Sequence, residues 1–134
     1  MTDGPPTARN RAAAITAAKA ALQDDARPDA MAKRRRDGKL SARGRIEALV
    51  DPGSFLEAGG LAGPHRDNPW NAAIEAPSDG NVTGMARIDG RPISLVAHDF
   101  TVLGGSVGVA GSQKNNMAIE RATKAGAPLV MLVE

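Results

Sequence analysis

The 134-residue chain has no cysteine, which excludes disulfide staples, thiolate metal sites and cysteine nucleophiles. Aromatic residues are almost as scarce. Phe55, Trp70 and Phe100 make up 2% of the composition, so any core is built from Ala, Val, Leu, Ile and Met and packs little apolar area per residue. Low stability of the isolated chain is therefore expected. Two histidines, His65 and His98, are too few for a histidine-rich metal cluster, and no metal is expected. No apolar run approaches the ~18 residues of a membrane span, and the N-terminus lacks the apolar stretch of a secretory signal. The expected location is cytoplasmic, with no membrane partner.

The net charge of +2 conceals an asymmetry: residues 1–50 carry 11 Lys/Arg against 6 Asp/Glu, and residues 51–134 carry 6 against 9. Basic character thus belongs to the leading segment. Residues 1–10, with two prolines, a glycine and no apolar periodicity, read as a disordered leader. Thr7 to Leu22 is alanine-rich, and Ile15, Ala18 and Leu22 form a narrow stripe suited to lying on another surface. Asp29 is placed to cap a short helix to Arg36, which Gly38 ends. The run Lys33-Arg34-Arg35-Arg36 suits phosphate contact, but reads better as a solvated helix end whose cations complement the dipole. No aromatic is interleaved with it, and no nucleic-acid partner is expected. Ser41 is a good N-cap for a helix burying Ile46, Leu49 and Val50, and Asp51-Pro52-Gly53-Ser54 is a turn. Residues 11–56 together form a helical N-terminal segment.

Residues 57–82 are loop-like, and a loop of that length is functional or disordered. His65 in it has no identifiable partner and reads as a surface histidine. Trp70 is expected to pin the loop to the domain or to a neighbouring subunit. Asp89-Gly90 between two β-prone runs predicts a hairpin of Val82–Ile88 with Arg91–Ala97, and Pro92 belongs near an edge or outside the paired region. Ser112 to Ala125 predicts a helix closed by Gly126 and Pro128. Leu129–Val133 reads as a strand buried on both faces.

Between hairpin and helix lies Gly104-Gly105-Ser106-Val107-Gly108-Val109-Ala110-Gly111. A phosphate-binding P-loop fails here, because Lys114 is three residues past Gly111 and no Ser/Thr follows it. A dinucleotide fingerprint fails too: with Gly105, Gly108 and Gly111, the leading position of either frame is Leu103 or Ser106. The turn can present backbone N–H groups to an oxygen, or simply connect strand to helix tightly. His98 and Asp99 are adjacent, so a strand would point them to opposite faces; both read as structural.

Four blocks in order, Gly38–Phe55, Asp79–Gly84, Ile88–Pro92 and His98–Gly108, resemble the carboxyltransferase (β) subunits of biotin-dependent acyl-CoA carboxylases of the propionyl-CoA and methylcrotonyl-CoA type. The sequence departs at Gly44, where the family usually has glutamate to complete a capping box with Ser41. The resemblance implies an α/β, crotonase-like superhelix of ββα units, incomplete and preceded by N-terminal helices, with residues 57–134 as the first part of the N-terminal carboxyltransferase domain. It also implies transfer of a carboxyl group from carboxybiotin to the α-carbon of an acyl-CoA. The carboxybiotin would be carried on a biotinylated alpha subunit or carrier protein, and the chain would assemble as a homo-oligomer. Phe100, Thr101, Gly104, Gly105 and Ser106 are the residues expected to border acyl-CoA. The family's oxyanion-holding Gly-Gly pair lies beyond Glu134, so no catalytic residue is assigned and the isolated chain is expected to be inactive. A non-catalytic CoA-binding or subunit-interaction module is the alternative.

Overall fold

The computed structural model describes residues 6–134 apart from 66, 68 and 72. Three helices lead: α1 (Ala8–Ala20), α2 (Pro28–Arg36) and α3 (Ala42–Leu49). Then come β1 (Leu56–Glu57), β2 (Asn81–Ile88), β3 (Arg91–His98), α4 (Val109–Ala125) and β4 (Leu129–Leu132). The sheet runs β1-β2-β3-β4, antiparallel except for the last pair, where β4 returns parallel to β3 through the α4 crossover.

The hairpin forms where Asp89-Gly90 predicts it. Both turn residues have positive φ, 49° and 75°, as a primed two-residue turn demands. The Asp51 carboxylate accepts the N–H groups of Asp89 (2.9 Å) and Gly90 (2.8 Å), tying the turn after α3 to the hairpin tip. Alternation along β2 and β3 then sends Val82, Ala86, Ile93, Leu95 and Ala97 to one face, where Ala42 and Ile46 of α3 complete the core. The opposite face meets α4 through Ala110, Lys114, Ala118 and Ala122, four positions apart and therefore on one side of the helix. These residues are mostly small, so helix and sheet approach closely, and the Ser94 hydroxyl donates to the Ala118 carbonyl at 2.8 Å. Leu95 and Val96 of β3 are fully buried between the two layers.

Several expectations change. Residues 8–10, assigned by sequence to the leader, are the first turn of α1, because the Thr7 side chain caps it at the Asn10 N–H (3.2 Å). Residues 1–5 of that leader lie outside the described residues. Every residue of α1 is exposed, Ile15 and Ala18 of the stripe included, and only Leu22, past the helix end, is half-buried, beside Gly60. Ser41 caps α3 by accepting the Gly44 N–H at 2.9 Å, and its own hydroxyl donates to Asp24. β4 is half-buried rather than buried on both faces, because it is the edge strand and Met131 points outward. Pro92 sits inside β3 opposite Arg87. Its nitrogen falls on the β4 side, two residues before the Ser94 N–H that donates to Pro128, where no ladder bond is needed. Trp70 is 86% exposed, and His65 is exposed as expected.

Candidate functional site

β3 and β4 are parallel, so their C-terminal ends open onto the same edge of the sheet, the place where α/β folds gather ligands. The loop Asp99–Gly108 crosses that edge and carries all five residues singled out by sequence. Its shape is set first by Asp99, whose carboxylate accepts the Thr101 N–H (2.9 Å) and hydroxyl (2.5 Å) in an Asx-type turn. Leu103, Gly104 and Gly105 follow with φ of 48°, 64° and 83°. Glycine removes the steric cost of that conformation at two of the three positions.

Closing this turn uses hydrogen-bond donors. The Gly105 N–H donates to Val102 (3.0 Å) and the Ser106 N–H to Leu103 (3.2 Å). Of the three N–H groups expected as candidate contacts, those of Gly104, Gly105 and Ser106, the last two are thus engaged inside the loop. What the turn presents instead is its backbone surface: Gly105 packs so tightly on the end of β4 that a Cβ there would come within 2.8 Å of the Glu134 carbonyl.

Three arginines from the helical segment hold the loop, and none was singled out by sequence as a site residue. Arg27, the residue before α2, pairs with Asp99 at 2.7 Å and donates to the Thr101 hydroxyl. Arg34 meets both carboxylate oxygens of Glu134 at 2.9 and 2.6 Å and lies 5.6 Å over the half-exposed Phe100 ring. Arg45 of α3 donates to the carbonyls of His98 and Leu132 at the two strand ends. The basic run at residues 33–36 is thus divided: Lys33, Arg35 and Arg36 are solvated, whereas Arg34 is buried in an internal pair.

The electrostatics follow from these contacts. Burial pushes the Asp99 carboxyl up, but hydrogen bonds from Thr101 and Arg27, with the Arg27 charge, outweigh it and hold the pKa below the ordinary value. Hydrogen bonds from Arg34 hold Glu134 below its ordinary value against a smaller desolvation effect. Burial and the Arg45 charge both lower His98, whose Nε2 has no hydrogen-bond partner among the described residues. Behind the loop, Lys114 is 3% exposed and burial pulls it down to about 8. Among the described residues no three His, Asp or Glu side chains gather to hold a metal, and no helix is long and apolar enough to cross a membrane.

An open groove of ≈ 960 Å³ runs along the Thr101–Val102 corner, between Leu22, Arg27, Gly60, Ala76 and Ser78. It has small-molecule dimensions, with walls of mixed polarity that carry one cation, Arg27, and two carboxylates, Asp29 and Glu75. A hollow of ≈ 470 Å³ between α3 and the Pro52–Phe55 turn lies away from the loop.

A carboxyl transferase domain model matches residues 33–134. The mitochondrial propionyl-CoA carboxylase beta chain of Rattus norvegicus is 44% identical over 109 residues, which span 79% of this chain and 19% of that protein. The biotin-dependent acetyl-/propionyl-coenzyme A carboxylase beta5 subunit of Mycobacterium tuberculosis is 44% identical over 103 residues, 76% of this chain and 19% of that one. Among solved structures, transcarboxylase 12S with hydrolysed methylmalonyl-coenzyme A bound superposes with a TM-score of 0.84 at 30% identity, covering 96% of this chain and 26% of that one. The α/β architecture is accordingly part of the crotonase-like carboxyltransferase fold. The chain spans 19% of the length of the two carboxylase relatives. Because one uninterrupted match takes in α3, the whole sheet, the arginine-braced glycine turn and α4, the chain belongs to the carboxyl transferase domain family.

Proposed function

We propose that this chain supplies the opening part of an acyl-CoA carboxyltransferase, which moves a carboxyl group from carboxybiotin to the α-carbon of an acyl-CoA. The observation that carries the reading is the glycine turn seated on the Glu134 end of β4, at the edge where the parallel strands terminate. A carboxyl acceptor of this kind reacts as an enolate, whose oxygen needs preorganised donors. The turn's part is to shape a wall. Phe100, Thr101, Gly104, Gly105 and Ser106 form one rigid surface beside the site, and residues 57–134 form the first part of the carboxyltransferase domain behind the helical segment 11–56. The acyl-CoA is of the propionyl or methylcrotonyl class. Carboxybiotin arrives as the second substrate on a biotinylated subunit or carrier protein. Homo-oligomer formation covers apolar surface exposed here, such as Leu56 (73%) and Val133 (63%).

Titrating the isotope-labelled chain with propionyl-CoA while following backbone amide resonances tests the reading. Shifts concentrated at residues 100–106 are expected, together with labelled carboxyl transfer from carboxybiotin once the complete carboxylase is assembled. Saturating propionyl-CoA that moves no amide in that loop would refute it.

A further inference from the structure

The helix that follows the glycine turn begins without a cap of its own. Its N-cap residue is Gly108, which has no side-chain oxygen, yet the helix runs for 17 residues. The acceptor comes from 32 residues upstream: the Asp79 carboxylate takes the N–H of Gly111, the third residue of α4, at 2.7 Å. Glycine at 108 is what admits it, since a methyl group there would land on the carboxylate.

Asp79 reaches this position from an unusual backbone. Ser78, Asp79 and Gly80 are consecutive left-handed residues, with φ of 53°, 49° and 75°, and two of them carry side chains. Such a run persists only where surrounding bonds over-determine it. Here the Lys114 ammonium donates to the carbonyls of Ser78 (2.7 Å) and Asn81, the Ser78 hydroxyl to Gly60 (2.6 Å), and the Asp79 N–H to Ala76 (3.0 Å). The turn also grips the glycine loop elsewhere. The Gly80 carbonyl accepts the Asp99 N–H at 2.8 Å, where the loop starts, and a Cβ on Gly80 would come within 2.9 Å of the Ser106 carbonyl in its middle.

We infer that the left-handed turn Ser78–Gly80 is a clamp fixing the start, middle and end of the glycine loop, with Asp79 as its positioning residue and Lys114 as the buried bolt behind it. The clamp rests on the carboxyltransferase reading only for what the loop faces. Its geometry stands independently.

Amide hydrogen exchange on Asp79→Ala, Asp79→Asn, Gly108→Ala and the Asp79→Ala/Gly108→Ala double variant tests it, alongside propionyl-CoA titration of each. In Asp79→Ala, exchange at Gly105, Ser106 and Gly111 should accelerate at least tenfold while Leu95 and Val96 in β3 stay protected, and Asp79→Asn, which keeps an acceptor oxygen, should recover part of the loss. Gly108→Ala should reproduce the signature. In the double variant it should add almost nothing, because the carboxylate it displaces is already absent. Where the chain binds propionyl-CoA, its dissociation constant should rise about tenfold with Asp79→Ala and be partly restored by Asn. Unchanged loop exchange, protection lost equally in β3, or an additive double variant would overturn the clamp. A chain that binds no propionyl-CoA in any form would instead sink the functional reading, with the exchange result still deciding the clamp.

Discussion

Replacing Lys114 with methionine should change how the stability of this chain depends on pH. Lys114 is 3% exposed, and its two carbonyl partners do not offset the burial of its charge, so its pKa falls from 10.5 to about 8. Glu57 and Asp79 pull it up and Arg43 pushes it further down, but burial dominates. Between about pH 8 and 10.5 the unfolded chain therefore holds a proton that the folded chain has released. Stability from this group rises with pH across that window and is level below it. The gap from 10.5 to about 8 converts to ~3 kcal/mol at ~1.36 kcal/mol per pH unit. The neutral amine still has two N–H donors for two carbonyls, so the turn it supports survives deprotonation. Urea unfolding of wild type and Lys114→Met at intervals from pH 7 to 10.5 gives a difference curve in which other titrating groups cancel. Wild type should gain ~3 kcal/mol on the variant over the window. A flat difference, or one that falls with pH, would show that the ammonium is not penalised by burial and would refute the reasoning.

The glycine turn and the α3 cap yield two more outcomes. Gly104 and Gly105 share a left-handed backbone, but a Cβ meets nothing within 4 Å at Gly104 and the Glu134 carbonyl at 2.8 Å at Gly105. Gly104→Ala should therefore cost roughly 1 kcal/mol, whereas Gly105→Ala should cost roughly 2–4 kcal/mol by urea unfolding; equal costs would disprove the close approach. In Gly44→Glu the new Cβ comes 3.2 Å from the Ser41 Oγ, so the gain of about 1 kcal/mol from helix propensity and a reciprocal bond to the Ser41 N–H requires that hydroxyl to shift by a few tenths of an ångström; a higher thermal midpoint is the expected outcome, and a lower one would show that the cap does not yield.

What was legible in the sequence was local. Asp89-Gly90 announces its hairpin because both residues tolerate the φ that the turn imposes, and Gly126, at φ 59°, ends α4 for the same reason. The loop holding Phe100 to Ser106 was readable from its glycines and from the family resemblance. What was not readable depends on distant partners. The sequence predicts that α4 begins at Ser112, but the helix begins at Val109, where the distant Asp79 carboxylate accepts the Gly111 N–H in place of a local cap. Ser78 and Asp79 carry no glycine signal for their left-handed conformation. Arg34 looked like one cation among four because its partner, Glu134, is 100 residues away. An all-apolar strand such as Leu129–Leu132 does not reveal whether a neighbour covers its second edge.

The Arg34–Glu134 pair also bears on the order of events during synthesis. A contact closing over 100 residues carries a larger loop-closure entropy than the hairpin and helices, whose partners are near in sequence, and is expected to form after them. On the ribosome Arg34 is made early and waits. Arg34 gains its carboxylate, and Gly105 the carbonyl it packs on, only once β4 and Glu134 have emerged. Within residues 6–134, the loop edge thus depends on the strand made after it, and a nascent chain halted before β4 has the hairpin without the Glu134 contact.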